Sequence, residues 1–415
     1  MEEFDLIVIG GGAAGYFGAI ACAEAQKGSR IVILEATPRV LTKVKISGGG
    51  RCNVTHHQFD PKQLIMHYPR GQKELIGAFH RFQPRDTVAW FAAHGVELKI
   101  EDDGRMFPVT NSSQTIIDCL DRAARDNGIK LKTKTLVQSV ERKDQGFIVR
   151  TKEGLDYCAP FVLLATGSMA YGQCLAEGLG HHLVDPVPSL FTFEIKDPLL
   201  EELSGTSFPK VHISLKIQES TAVFQQEGPC LITHWGLSGP AVLKLSAFAA
   251  RELFISQYQA QAQINWEYPL KLDAALQQLE SLKQQHPKKK ISNENPFSCT
   301  RRFWEALLRE SGVHEAQLYG EASKKLLQEI ARRLTATVLK VQGKGVFKEE
   351  FVTAGGVSRD EVDFRRMESK VCPGLFLAGE VLDVDGITGG FNFQNAWTGS
   401  WLAGNAIAES LRSKL

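Results

Sequence analysis

The sequence predicts an α/β fold with a β-rich insertion, and three observations support this prediction. First, residues 5–9, 13–27 and 30–35 read as an apolar strand, a helix and a second apolar strand, which is the rhythm of a βαβ unit. Second, from about Pro186 onward, short β-type segments replace this alternation. Third, glycine-rich α/β sequence returns after about Val341, so the first domain is built from both ends of the chain.

Composition narrows the possible classes of protein. The 415 residues carry 48 basic and 47 acidic side chains, and a net charge of +1 favours neither nucleic acid nor an anionic membrane as main partner. The 8 cysteines never form C-x-x-C, which indicates reduced thiols and a cytoplasmic protein. The uncharged run 6–23 has an acidic flank and internal glycines, so we expect no signal or membrane segment there.

The strongest motif is the glycine-rich turn at residues 10–15, which follows a strand and opens a helix. Gly10 permits the tight turn, Gly12 lets the backbone approach a diphosphate, and Gly15 allows close helix-to-strand packing. Glu35 ends the next strand, where its carboxylate can accept hydrogen bonds from ribose hydroxyls. The pattern predicts a dinucleotide site formed by Gly10, Gly12, Ala13, Ala14, Gly15, Glu35 and Ala36.

A second glycine cluster follows in the segment 47–53. Three consecutive glycines expose backbone N–H groups that can bind an anion or lie flat on a ring system. A flexible surface loop is the alternative, and Cys52 is more simply a small packed residue than a redox thiol. The candidate ligand contacts here are Ser47, Gly48, Gly49, Gly50, Arg51, Cys52 and Asn53.

Two later motifs specify which dinucleotide binds. The apolar strand 162–165 ends in Thr166 and Gly167, which suits close passage under a nucleotide. The strand that begins near 375 delivers Gly379 and Glu380, whose carboxylate can bind a ribityl chain. Next, Gly389, Gly390, Phe391 and Asn392 open the last helix, whose N-terminal N–H groups suit the electron-rich C2=O and N1 side of a flavin. The cofactor predicted is therefore FAD.

The segment 233–240 is the last candidate motif. It precedes a helical pattern, so it is either an anion-binding helix start with His234 as proton donor or a structural turn. The other histidines have no metal-ligand spacing, and we predict no metal site.

With these residues assembled, the sequence resembles a bacterial family of FAD-dependent oxidoreductases named aminoacetone oxidase-like or NAD(P)/FAD-dependent oxidoreductase, which includes a flavin-dependent bile-acid reductase. The resemblance covers nearly the whole chain. It rests on ISGGGRCNVT (46–55), THWGLSGP (233–240), VTAGGVS (352–358), MESK (367–370) and GEVLDVDGITGGFN (379–392).

The resemblance implies a glutathione-reductase-type FAD-binding Rossmann-like domain with an inserted β-rich domain and a small helical subdomain. It also implies that FAD is held noncovalently. Besides the residues already named, the resemblance implies that Asp383 contacts FAD and that the backbone of Val137 contacts adenine. The domain limits we expect are 1–188 and 338–415 for the FAD-binding domain, 189–269 for the β-rich insert and 270–337 for its helical subdomain.

We therefore expect an FAD-dependent oxidoreductase that moves hydride through flavin N5 to or from a small organic substrate, with the insert closing the substrate pocket. There is no second G-x-G-x-x-G, so NADH or NADPH would bind transiently. Substrate-side candidates are Arg51, Arg105 and His234. An amine or ketone oxidase that uses oxygen and an FAD-containing RNA-modifying or RNA-binding protein are the alternatives, although we expect no nucleic acid or membrane partner. The oligomeric state stays open.

Overall fold

The computed structural model describes residues 1–218, 220–345 and 352–413. The chain forms two compact units: unit 1 is Met1–Pro186 with Thr353–Leu415, and unit 2 is Val187–Val352. The strands are β1 (Glu2–Glu3), β2 (Leu6–Ile9), β3 (Ile31–Leu34), β4 (Thr55–His56), β5 (Leu98–Ile100), β6 (Arg105–Pro108), β7 (Lys130–Lys132), β8 (Val137–Lys143), β9 (Gly146–Thr151), β10 (Asp156–Ala159), β11 (Phe161–Leu164), β12 (Leu183–Ser189), β13 (Phe193–Glu194), β14 (Ser207–Ile217), β15 (Phe224–Thr233), β16 (Gly236–Ser238), β17 (Ala260–Asn265), β18 (Thr337–Val341), β19 (Gly343–Lys344), β20 (Val352–Val357), β21 (Val362–Asp363), β22 (Glu368–Ser369) and β23 (Leu375–Leu377). The helices are α1 (Ala13–Ala25), α2 (Thr42–Gly50), α3 (Pro61–Leu64), α4 (Gln72–Phe79), α5 (Pro84–Ala93), α6 (Ser113–Asp126), α7 (Ala170–Gly178), α8 (Pro240–Phe248), α9 (Ala250–Ile255), α10 (Leu272–Gln285), α11 (Arg301–Glu310), α12 (Lys324–Ala336) and α13 (Phe391–Arg412).

The main sheet of unit 1 has seven strands in the order β21-β22-β23-β11-β2-β3-β7. Strands β23, β11, β2, β3 and β7 are parallel, and β21 and β22 form an antiparallel edge. The central strands β2, β3 and β11 are short apolar runs in which every residue is buried. Such runs are typical of a parallel sheet with both faces covered. Strands β8, β9 and β10 form an antiparallel meander in unit 1.

Helices α1 and α13 pack closely against each other. A Cβ atom added to Gly404 of α13 would lie 2.5 Å from the carbonyl oxygen of Gly18 and 2.8 Å from the amide nitrogen of Cys22, both in α1. Only glycine fits at this contact, since real Cβ atoms do not approach other atoms so closely. The two helices come from opposite ends of the chain, and both lie in unit 1.

Unit 2 is built around a second seven-stranded sheet, in the order β18-β17-β14-β15-β16-β13-β19. Its described strand pairs are all antiparallel. The large buried side chains Trp266, Phe303 and Trp304 contribute to its core. Strands β18 and β19 belong to this unit, because β18 pairs with β17 and β19 pairs with β13. We expected the insert to end at 337, and the structure places its end later in the chain.

The chain passes between the units twice, along β12 and β20, which pair as a two-stranded sheet. The approach is close: a Cβ atom on Gly355 would lie 2.6 Å from the carbonyl oxygen of Asp185. Gly355 has φ of 126°, a conformation that side-chain-bearing residues rarely adopt. The outgoing and returning segments thus run side by side.

Candidate cofactor site

The predicted ligand contacts gather at the carboxyl edge of the main sheet. In register, Ile9 of β2 lies beside Leu164 of β11, which lies beside Leu377 of β23. The residues that follow these three strands therefore leave the sheet together, and this edge is where open α/β sheets bind ligands. A Cβ atom on Gly379 would lie 3.2 Å from the Cβ of Ala14, so the end of β23 touches the start of α1.

The turn at residues 10–15 has the close packing that its glycines predict. A Cβ atom on Gly15 would lie 1.9 Å from the carbonyl oxygen of Gly10, and one on Gly10 would lie 2.4 Å from that of Ala165. By contrast, a Cβ atom on Gly12 would meet nothing within 4 Å. The N-terminus of α1 is therefore open on the side of Gly12, where a ligand can approach its N–H groups.

Glu35 is oriented by the backbone around it. Its Oε2 accepts a hydrogen bond from the Gly11 N–H at 2.8 Å, and its Oε1 accepts one from the Thr37 N–H at 2.8 Å. Each oxygen keeps a further lone pair that can accept from a ribose hydroxyl. The carboxylate is thus fixed beside the glycine turn.

The second glycine cluster forms the end of α2, where the backbone is no longer helical. Gly48, Gly49 and Gly50 have φ values of 58°, 68° and 83°, so all three adopt the left-handed conformation. A Cβ atom on Gly48 would lie 2.8 Å from the Phe107 ring, but one on Gly49 or Gly50 would meet nothing within 4 Å. One side of the cluster is packed and the other side is open.

Cys52 follows this cluster and is buried. Its N–H donates to the carbonyl oxygen of Ser47 at 3.0 Å, which closes the turn. Burial raises the pKa of its thiol to about 12, so the thiol stays protonated at neutral pH. This environment favours a packed residue over a redox thiol.

Arg51 and Arg105 are both engaged by acidic side chains of the small sheet β4-β6-β5. Arg51 Nη1 lies 2.5 Å from Glu101 Oε1, and its guanidinium stacks 4.0 Å from the centroid of the Phe107 ring. Arg105 Nε lies 2.7 Å from Asp103 Oδ2 and its Nη2 lies 3.4 Å from Glu101. In this structure Arg51 ties the end of the glycine cluster to this sheet, whereas the ion pairs of Arg105 stay within the hairpin formed by β5 and β6. The contacts of both arginines with ligand remain predictions.

The start of α13 is held by its neighbours. In the amide orientation that satisfies both atoms, Asn53 accepts from the Gly390 N–H at 2.9 Å and donates to the Thr55 carbonyl at 3.0 Å. Asn392 closes the preceding loop by pairing with both backbone groups of Gly386, at 2.7 and 2.8 Å. The Phe391 ring stacks on His67, with ring centroids 4.3 Å apart. These contacts fix the helix start, whatever ligand it faces.

The remaining predicted FAD contacts lie in unit 1, and the substrate-side candidate His234 lies in unit 2. Glu380 Oε2 accepts a hydrogen bond from Lys43 Nζ at 2.5 Å. Asp383 is 3% exposed, and its Oδ2 lies 3.5 Å from Arg359 Nε. Val137 begins β8 in unit 1. His234 lies in unit 2, exposed in the turn between β15 and β16.

The sequence analysis missed Lys43 and Gln394. Lys43 is an exposed lysine on a helix, a pattern that normally indicates only a solvated surface. Gln394 is fully buried and accepts hydrogen bonds from the hydroxyls of Thr55 and Thr87 at 2.6 and 2.9 Å. Both residues find their partners far along the chain, so no local motif reveals them.

The residues present fit FAD. The hydroxyl of Thr166 is buried at the carboxyl edge and has no hydrogen-bond partner in the described structure. The open sides of Gly12, Gly49 and Gly50 leave room for a ligand against the backbone. Among the described residues, no group of three or more His, Cys, Asp or Glu is placed to bind a metal. Within the same part of the chain, no helix combines the length and apolarity that crossing a membrane requires.

The fold and this edge define a flavoprotein of the FAD-binding Rossmann type, and comparison with known proteins agrees. The family described as "HI0933-like protein Rossmann domain" matches residues 4–406, and the chain belongs to this family. It is a family of flavin-dependent oxidoreductases.

Two similar proteins illustrate the family, and two similar structures illustrate the fold. The chain is 30% identical over 412 residues to a ribosomal RNA dihydrouridine synthase of Escherichia coli, covering 97% of each chain. It is 27% identical over 419 residues to a 3-dehydro-bile acid delta(4,6)-reductase of Clostridium scindens, covering 97% of this chain and 98% of the relative. The fold resembles a 3-ketosteroid delta1-dehydrogenase from Sterolibacterium denitrificans, with 11% identity, a TM-score of 0.54 and coverage of 99% and 100%. It also resembles a 3-ketosteroid-delta4-(5alpha)-dehydrogenase from Rhodococcus jostii RHA1, with 15% identity, a TM-score of 0.52 and coverage of 98% and 97%.

Proposed function

We propose that this protein is an FAD-dependent reductase that transfers hydride through flavin N5 to a carbon–carbon double bond of a small organic substrate, with NADH or NADPH as transient donor. The observation that carries the proposal is the convergence of the glycine turn, Glu35, Thr166 and Glu380 at one sheet edge, close to the start of α1. When bound there, FAD supplies the hydride chemistry.

The chain's own residues bind and orient the cofactor. The N-terminus of α1 at Gly12 faces the diphosphate, and Glu35 accepts from the adenosine ribose. Glu380 binds the ribityl hydroxyls. The N–H groups at the start of α13 stabilise negative charge on the flavin ring, because a helix N-terminus carries partial positive charge.

The names of the two relatives support the choice of bond. A dihydrouridine synthase adds two hydrogens across the C5=C6 bond of uracil, which is conjugated to a ring carbonyl. A delta(4,6)-reductase of 3-dehydro bile acids acts on double bonds conjugated to a ketone. In both substrates the carbonyl group withdraws electrons from the double bond, which can therefore accept hydride. We infer that the substrate of this protein carries a double bond conjugated to a carbonyl group.

The organisation of unit 2 supports a transient donor. A dinucleotide-binding unit needs parallel strands joined by a helix, whereas the described strand pairs of unit 2 are all antiparallel. NADH or NADPH therefore has no domain of its own in the described part of unit 2. It would donate hydride and leave before the substrate enters.

Anaerobic mixing tests the reductase. NADH or NADPH should bleach the visible absorbance of the FAD, and an α,β-unsaturated ketone such as a 3-oxo-Δ4 steroid should restore it without oxygen. If neither nucleotide bleaches the flavin, while air rapidly reoxidises a substrate-reduced enzyme, the oxidase alternative replaces the reductase.

A uracil base in ribosomal RNA is the second candidate substrate, favoured by the relative that is 30% identical over 97% of the chain. The net charge of +1 means that RNA would have to bind through a local basic surface. To distinguish the RNA substrate from the small ketone, unmodified ribosomal RNA is added to the reduced enzyme. Reoxidation by RNA, with a gain of two hydrogens on one uridine by mass spectrometry, would establish this candidate over the small ketone.

A further inference from the structure

Lys43 lies across the ends of two neighbouring strands. It stands on α2, and its ammonium reaches Glu380 Oε2 at 2.5 Å and Ser168 Oγ at 3.4 Å. Glu380 follows β23 and Ser168 follows β11, which are adjacent in the sheet. The Lys43 side chain is 59% exposed and that of Glu380 only 17%. The lysine is therefore the partner more exposed to solvent.

The base of this side chain is fixed to the glycine turn. The N–H of Leu41, which precedes α2, donates to the carbonyl oxygen of Gly11 at 2.9 Å. On the far side, Gly379 contacts Ala14 at the start of α1. Lys43 thus stands close to the N-terminus of α1, and its ammonium reaches across the ends of β11 and β23.

Negative charge would accumulate at this edge when FAD binds, and a cation would stabilise it. A diphosphate brings two negative charges to a place that already holds the carboxylates of Glu35 and Glu380. Helix α1 has no acidic residue in its first turn and no side-chain cap at Gly12, so its N–H groups are free of competing side chains there. Backbone N–H groups provide partial positive charge only, and a lysine ammonium is a compact full charge that suits phosphate.

We propose that Lys43 binds the FAD diphosphate, exchanging its ion pair with Glu380 for phosphate when FAD binds. The exchange would release Glu380 to accept hydrogen bonds from the ribityl hydroxyls. This inference rests on FAD being the cofactor of the proposed function.

Binding of cofactor fragments to the full-length, cofactor-free chain tests the exchange. The probes are FAD, ADP, which retains the diphosphate, and riboflavin, which lacks it. The variants are Lys43→Met, Lys43→Arg, Glu380→Gln and, as matched control, Lys45→Met, an exposed lysine on the same helix. Thermal unfolding of each variant checks that it is folded.

Lys43→Met should weaken binding of both FAD and ADP about 10- to 100-fold, the range of one charge-assisted hydrogen bond, and leave riboflavin unchanged. Lys43→Arg should recover most of the affinity for ADP, and Lys45→Met should match the wild type. Glu380→Gln should bind ADP as tightly as the wild type or more tightly, since the competing carboxylate is gone, and should bind riboflavin more weakly.

Two results would overturn the proposal. If Lys43→Met weakens the binding of riboflavin as Glu380→Gln does and leaves the affinity for ADP unchanged, Lys43 only orients Glu380. If Lys43→Met changes none of the affinities, Lys43 has no role in binding. All these readouts are binding measurements, so a wrong choice of substrate or electron donor would leave them unaltered. A wild-type chain that binds no FAD would refute both the exchange and the FAD cofactor.

Discussion

Gln394 shows how a single buried side chain can fix a helix start. Its carbonyl accepts from Thr55 and Thr87, and its amide donates to Thr398 Oγ1 at 3.0 Å. Thr398 in turn donates to the Phe82 carbonyl at 2.9 Å. All the side chains of this network are buried, so each hydrogen bond replaces one to water that is no longer available. Gln394 thereby ties the first turns of α13 to β4 and α5.

Gln394→Met should therefore lower the free energy of unfolding by about 2–4 kcal/mol, because it removes the acceptor of the buried Thr55 hydroxyl and leaves that of Thr87 only the Gln83 carbonyl, 3.5 Å away. Chemical denaturation measures the change. The double variant with Thr55→Val should recover part of the loss, since it removes the hydroxyl that has lost its acceptor. A single variant as stable as the wild type would show that the network contributes nothing net.

His181 predicts how stability depends on pH. Burial lowers the pKa of its imidazole below the ordinary 6.5, although Glu361 Oε2, 3.0 Å from Nδ1, acts in the opposite direction and His182 adds to the lowering. The Ser369 hydroxyl lies 2.9 Å from its Nε2. The folded chain therefore holds His181 neutral, and the unfolded chain binds the extra proton below about pH 6.5.

Because protons favour the unfolded state, the contribution of His181 to stability is fully present above about pH 6.5 and is lost as the pH falls toward the lower folded pKa. His181→Gln should flatten the stability profile in that window, and His80→Gln, an exposed histidine, should not. Melting temperatures from pH 5 to 8, roughly the range over which histidine titrates, measure this. An unchanged slope in His181→Gln would contradict the prediction.

At the scale of elements, the sequence predicted strands and helices where periodicity and turn residues coincide. The stretch 74–93 forms two helices, because Gln83 and Asp86 form a cap and Pro84 starts α5. Helix α13 begins at Phe391, within the glycine-rich motif that the sequence predicts to open it. Short-range signals in the sequence were thus sufficient to predict most helices and strands, but they did not fix the residues at which each element begins and ends.

The contacts between elements were harder to predict. The pairs Arg51–Glu101 and Lys43–Glu380 join residues 50 and 337 positions apart. No spacing rule links such residues, because their proximity exists only after the sheet has formed. The glycine turn and Glu35 could be predicted, since they lie within one βαβ unit whose geometry is known in advance.

Gly404→Ala tests the contact between α1 and α13. The added methyl group would collide with the backbone of Gly18 and Cys22, so unfolding free energy should fall by about 1–3 kcal/mol. Gly77→Ala is the matched control, because Gly77 lies inside α4 with open space where a Cβ would point. The free energy of unfolding of Gly77→Ala should rise by about 0.5–1 kcal/mol, because alanine stabilises helix interiors relative to glycine. Equal stability of the two variants would contradict the close packing.

At the scale of the whole molecule, the fold explains how one domain is assembled from two distant parts of the sequence. Strands β2, β3 and β11 come from the first part and β23 from the last, yet they form one parallel sheet. Unit 1 therefore has a buried core of its own. Every predicted FAD contact lies in unit 1.

This organisation predicts that unit 1 folds and binds FAD without the insertion. The two crossing segments run side by side at Asp185 and Gly355, so a short Gly/Ser linker in place of residues 188–351 can join them. The shortened chain should be folded by circular dichroism and should bind FAD in a one-to-one ratio. The same deletion with Gly15→Ala is the control: its methyl group would collide with the Gly10 carbonyl, so the glycine turn would be distorted and FAD lost. A shortened chain that is folded yet binds no FAD would show that the cofactor site needs residues of unit 2.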